Sequence, residues 1–74
     1  MEQKILEIVN SIREAKGLPQ LSKLNAGESL RADLGLTSFD LAELTVKIED
    51  EYDVDIFEDG LINTVGEIYE KLSE

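Results

Sequence analysis

Apolar residues recur at helical spacing in three stretches of the chain. The first runs from about Glu2 to Ala15. Ile5, Ile8, Val9, Ile12 and Ala15 fall on one side when successive residues turn by about 100°. Lys16 and Gly17 then supply a basic last turn and a C-terminal glycine, and Pro19 blocks continuation. The second stretch runs from about Ser38 to Tyr52, with Leu41, Leu44, Thr45, Ile48 and Tyr52 on one face. Thr37 is placed to cap it, with Asp40 three residues on as partner in a shortened capping box. The third runs from about Val65 to Leu72, with Val65, Ile68, Tyr69 and Leu72 as its stripe. Thr64-x-x-Glu67 matches a capping box there. Between the last two, residues 57–62 predict one short turn of helix around Gly60. No stretch alternates as a strand does. The pattern predicts an all-α fold: a small four-helix bundle of three main helices plus one short helix, with 1–74 as a single domain.

Residues 17–36 carry no helical signature, and twenty residues is long for a connection in so small a domain. Leu18, Leu21, Leu24, Leu30, Leu34 and Leu36 are spaced along it. They predict an ordered crossover pinned to the bundle, which delivers Ser38 to the head of the second helix.

The second helix has an unusual outer face. Opposite Leu41, Leu44, Ile48 and Tyr52 lie Phe39, Glu43, Val46 and Asp50, with Asp40, Lys47 and Asp53 beside them. Two sizeable apolar residues thus stand among acids on the side turned away from the core. Single exposed apolar residues are ordinary; this pairing with carboxylates suits a docking face.

Composition narrows the chemistry. Apolar residues make up 42% and charged residues 32% of 74, which suits a small globule rather than an acidic disordered chain. No apolar run approaches the roughly 18 residues of a membrane span, so membrane insertion is not expected. Met1-Glu2-Gln3-Lys4 opens directly into the amphipathic pattern, so no signal peptide is expected. Cysteine and histidine are absent. Disulfides, thiol nucleophiles, Cys/His zinc sites and every Ser-His or Cys-His arrangement are excluded, as is imidazole base catalysis. The expectation is a non-catalytic protein.

Seven basic residues stand against seventeen acidic ones, a net charge of −10. Residues 1–37 balance at five of each, so all of the net charge lies in residues 38–74. Such a surface repels nucleic acid and anionic lipid and steers basic protein partners.

The candidate chemistry lies in Leu34-Gly35-Leu36-Thr37-Ser38-Phe39-Asp40. Gly35 permits a sharp turn, and the helix that follows presents Ser38 at its N-terminus, where free backbone N–H groups and the helix dipole favour a phosphate. Ser38 has no base nearby in sequence, so another enzyme would act on it. The competing reading is that Ser38 is simply the N-cap.

Leu30-x-x-Asp33-Leu34-Gly35-Leu36-Thr37-Ser38-Phe39-Asp40-Leu41-x-Glu43-Leu44 resembles the modification-site motif of acyl carrier proteins. The acidic run from Ile48 to Ile56, the segment Ile62-Asn63-Thr64-Val65 and the closing helix continue the resemblance across essentially the whole chain. It implies a four-helix bundle bearing 4′-phosphopantetheine on Ser38, installed from coenzyme A by a phosphopantetheinyl transferase that needs magnesium. The arm's thiol would carry acyl groups as thioesters to enzymes of fatty-acid or specialised (polyketide or aminoacyl) biosynthesis. The missing cysteine is then explained, because the reactive sulfur is imported. It further implies that Phe39, Asp40, Glu43, Val46, Glu49 and Asp50 meet basic-surfaced partner enzymes. Ile48, Ile56, Ile62, Ile68 and Leu72 match positions near the family's acyl cavity, where ordinary core is the alternative for each. A cytoplasmic monomer is expected. Thr37 and Phe39 stand where aspartate and leucine are usual, and Lys47 interrupts the acidic side; these departures leave a specialised cargo open.

Two rivals remain. Asp53 to Gly60 invites a calcium-loop reading, but with Gly60 at loop position 6 the third position is Phe57 and the twelfth is Gly66, so required oxygen ligands are missing. No specific metal site is expected. The other rival is an acidic interaction module, or decoy, that fills a basic groove with no prosthetic group; it needs the charge segregation but not Ser38.

Overall fold

The computed structural model describes residues 2–58, 60 and 62–73. Three helices are present among them: α1 (Glu2–Ala15), α2 (Ser38–Tyr52) and α3 (Val65–Ser73). No strand is present among the described residues, apart from an isolated antiparallel bridge between Ser29 and Thr64. The chain is therefore all-helical. The fourth, short helix expected over 57–62 is not formed by the described residues of that segment. Ile56–Glu58 make a turn instead, in which Phe57 N donates to Asp55 Oδ1 at 2.9 Å and Glu58 N to Asp55 O at 3.2 Å. Asp55 offers the backbone a local alternative to helix, and Gly60, at φ 127, lies outside the helical region. Asp59 and Leu61 of that expectation lie outside the described residues.

Each helix meets the core through its periodic stripe. Ile5, Val9 and Ile12 of α1, Leu44 and Ile48 of α2, and Val65 and Ile68 of α3 are buried. Ile8, Leu41, Tyr52, Tyr69 and Leu72 pack partly buried around them. Ala15, on the α1 stripe by spacing, is exposed, and Arg13 is buried in its neighbourhood.

The crossover 16–37 holds no helix, yet three of its leucines, Leu30, Leu34 and Leu36, sit in the core beside Ile56 and Ile62. Leu21 and Leu24 pack against its edge. Asn10 fixes the crossover to α1: its amide donates to Leu21 O at 2.9 Å and its oxygen accepts from Leu21 N at 2.7 Å.

The start of α3 is fixed by the same crossover. The first N–H groups of a helix have no partner within it. Here Val65 N donates to Glu28 O at 3.1 Å and Gly66 N to Ala26 O at 2.8 Å. Thr64 Oγ1 accepts from Glu67 N, while Glu67 Oε1 accepts from Asn63 N and Thr64 N. Gly66 suits this close approach, since a Cβ there would lie a tight 3.0 Å from Ala26 O. Leu30 N donates to Asn63 O at 2.8 Å, bringing residue 31 beside residue 63.

Candidate functional site

Ser38 is the first residue of α2, and the chain that delivers it is held from α1. Gly35 turns the chain at φ 74, a left-handed conformation that glycine adopts without a Cβ clash. Arg13, 8% exposed, reaches the carbonyls on either side of the crossover. Its Nη1 donates to Leu34 O at 2.5 Å, and its Nε and Nη2 donate to Pro19 O at 3.2 and 3.1 Å. A buried guanidinium needs such partners to offset its desolvation. Lys16 adds a second tie, donating to Gly35 O at 2.7 Å and to Asp40 Oδ2 at 2.5 Å.

Thr37, not Ser38, is the N-cap. Its Oγ1 accepts from Asp40 N at 3.2 Å, and Asp40 Oδ2 accepts from Thr37 N at 2.8 Å, which closes the capping box. Ser38 is thereby left exposed, with no hydrogen-bond partner for its hydroxyl among the described residues. The hydroxyl is free to accept a covalent group at the positive end of α2.

Asp40 therefore faces inward to its own fold. Its side chain is 15% exposed and paired with Lys16. The Lys16 hydrogen bond, then that from Thr37 N, holds its carboxyl below the usual 3.8. On the face expected to meet partners, the Asp40 carboxylate is already engaged by the capping box and by Lys16. The other residues of that face point outward. Phe39 is 87% and Val46 67% exposed, and Glu43, Glu49 and Asp50 are exposed around them. Lys47 pairs with Glu43 at 3.8 Å across the helix surface.

A groove of about 290 Å³ opens beside Ser38. Among the described residues it is lined by Arg31, Ser38, Leu41, Ala42, Phe57, Ile62 and Asn63. Of the five residues matched to an acyl cavity, Ile62 alone lines it. Ile48, Ile56 and Ile68 are fully enclosed in the core, and Leu72 packs partly buried against that core. Helical periodicity cannot tell a cavity wall from a core position, because both face inward. Arg31, Ala42, Phe57 and Asn63 were not singled out as groove residues by the sequence; the turn at 30–34 and the Leu30–Asn63 hydrogen bond bring Arg31 and Asn63 beside α2 and the 56–58 turn. Arg13 and Lys16 likewise leave no local signal, since their acceptors lie 6 to 24 residues away. Among the described residues no three carboxylates gather as a metal site, and no helix is long and apolar enough to cross a membrane.

Comparison with known proteins matches residues 4–72 to the family described as phosphopantetheine attachment site. An acyl carrier protein of Exiguobacterium sibiricum is 32% identical over 69 residues, covering 90% of this chain and 86% of that protein. No solved structure matches the chain.

Proposed function

Since the chain belongs to the phosphopantetheine-attachment family, whose members include acyl carrier proteins, we propose that it carries acyl groups on a 4′-phosphopantetheine arm attached to Ser38. The covalent arm is the family's prosthetic group. The observation that supports the assignment to Ser38 is its exposed hydroxyl, without a partner among the described residues, at an N-terminus already capped by Thr37. The residues present fit the group: an anion is favoured at the head of α2, and a groove adjoins the attachment atom. When bound, the arm supplies a terminal thiol that holds an acyl group as a thioester.

The chain's own residues position and present. Arg13 and Lys16 hold the Leu34–Gly35 turn, Thr37 and Asp40 fix the first turn of α2, and Ser38 projects from that rigid base. No histidine or cysteine is present to activate it, so the base belongs to the transferase. The outer face of α2, with Phe39, Glu43, Val46, Glu49 and Asp50, is the surface we assign to basic partner enzymes: carboxylates for steering and two apolar side chains for contact. Work as a cytoplasmic monomer, where coenzyme A is available, belongs to the same proposal, as does service to fatty-acid or specialised acyl and aminoacyl biosynthesis.

The test is stepwise. Incubation with a broad-specificity phosphopantetheinyl transferase, coenzyme A and magnesium is expected to add one phosphopantetheine to the intact mass, and an acyl-activating enzyme is then expected to load the new thiol. A chain that binds basic enzymes yet never gains the arm would be an acidic interaction module instead.

A further inference from the structure

Among the basic side chains near the attachment site, Arg31 stands apart. Lys16 is paired with Asp40, Arg13 is bonded to the Leu34 and Pro19 carbonyls, and Lys47 is paired with Glu43. Arg31 is exposed and makes no hydrogen bond or ion pair with any described residue. It nevertheless lines the groove that Ser38 also lines. The groove is otherwise lined by the apolar Leu41, Ala42, Phe57 and Ile62 and by Asn63. The backbone of Asn63 is fixed by Leu30 N and by Glu67 Oε1, and its side-chain amide has no partner among the described residues. A guanidinium without a partner among the described residues, beside the proposed attachment serine, in a chain of net charge −10, calls for an occupant of opposite charge.

We propose that this groove docks the near half of the arm, with Arg31 as the residue that holds its phosphate. The inference rests on Ser38 being the attachment site. The phosphodiester at Ser38 Oγ pairs with the Arg31 guanidinium, whose planar fork suits phosphate oxygens. The neighbouring dimethyl carbon of the arm packs over Leu41, Ala42 and Ile62, and the following hydroxyl and amide meet the Asn63 side chain. The groove's volume supports this occupant. About 290 Å³ lies at the lower edge of the roughly 300–1,000 Å³ of small-molecule sites, which is room for part of the arm and not for the arm with a long chain. Tethering at Ser38 makes the docking intramolecular, at an effective concentration on the order of millimolar, so one ion pair and a short apolar contact suffice to bias the arm. Arg31 is thus a positioning residue: it sets the direction in which the thiol leaves the protein.

The experiment compares unmodified and phosphopantetheinylated forms of the wild type, Arg31→Ala and Arg31→Lys. Intact mass establishes modification, NMR follows the methyl groups of Leu41 and Ile62 and the side-chain amide of Asn63, and thermal melts are recorded at about 0.05 and about 0.5 M salt. On modification, the wild type is expected to shift those three groups and to gain about 2–6 °C in melting temperature, the scale of one surface ion pair in a domain this small. The gain shrinks at high salt. Arg31→Ala loses the shifts and the gain while still accepting the arm, and Arg31→Lys restores part of both. Shifts confined to residues 37–39, with the same melting change in all three proteins, overturn the docking and leave the carrier reading intact. An Arg31-dependent gain seen only after loading a dicarboxylic acyl group overturns the phosphate assignment, because the cargo carboxylate is then the partner. No mass gain in the wild type overturns both the attachment and the docking.

Discussion

Lys16 Nζ at the end of α1 lies 2.5 Å from Asp40 Oδ2 in the first turn of α2. The same ammonium donates to Gly35 O, and the same carboxylate closes the capping box on Thr37. One ion pair therefore joins the end of α1, the glycine turn and the base from which Ser38 projects. It converts the junction of two helices into a fixed presentation of one hydroxyl.

Asp40→Asn is expected to lower stability by about 1 kcal/mol at pH 7, the scale of losing a cap partner and a surface ion pair. The folded pKa of Asp40 lies below its usual 3.8, with the Lys16 hydrogen bond as the largest cause. Its contribution is therefore fully present above pH 3.8 and is lost as pH falls through the folded value. Thermal melts of the wild type and Asp40→Asn across pH 7 to 2 should show a constant gap down to about pH 4 that closes below it. A gap that persists unchanged at pH 2 contradicts the assigned role of the charge.

The acidic segment sets a second dependence. Residues 38–59 hold nine acids and one base, and repulsion at that density opposes compaction and is screened by ions. The melting temperature is expected to rise with millimolar magnesium or calcium, and with monovalent salt to a smaller degree. A flat response in both titrations contradicts the repulsion argument.

The two faces of α2 should separate partner docking from folding. Glu43 is exposed, and its pairing with Lys47 spans 3.8 Å between half-exposed side chains, so Glu43→Lys should change stability by no more than about 0.5 kcal/mol. Its association with a basic transferase should slow, most at low salt. Val46→Ala should weaken docking without that salt signature, since it removes contact area and no charge. Leu44, fully buried, should cost roughly 2–5 kcal/mol on truncation to alanine. Melts and transferase kinetics at two salt concentrations check all three. An unfolded Glu43→Lys beside an intact Leu44→Ala would mean that the helix is rotated.

The helices were legible because their signals are local. Thr37 with Asp40 and Thr64 with Glu67 cap as their spacing predicts, and the exposure of Phe39 and Val46 follows from rotation about α2. What was not legible depends on distant groups. Asp40 reads as a surface acid until Lys16 is folded against it from 24 residues away. The groove residues Arg31 and Asn63 belong to segments far apart in sequence, joined by the backbone hydrogen bonds Leu30–Asn63, Val65–Glu28 and Gly66–Ala26. Ile48, Ile56 and Ile68 are enclosed in the core, and no periodicity separates that from a cavity wall. The turn at 56–58 departs from helix because of the side chain of Asp55 and the backbone of Gly60, which a hydrophobic pattern does not weigh.

The central claim is that Ser38 Oγ is the atom that receives the arm. The direct measurement is intact mass with peptide mapping of the wild type and Ser38→Ala, each incubated with transferase, coenzyme A and magnesium. The wild type should gain one phosphopantetheine, mapped to the peptide containing Ser38. Ser38→Ala should gain none, while melting close to the wild type because the cap on α2 is Thr37. A Ser38→Ala chain that acquires the same mass, or an arm mapped to any other residue of the wild type, would contradict the account.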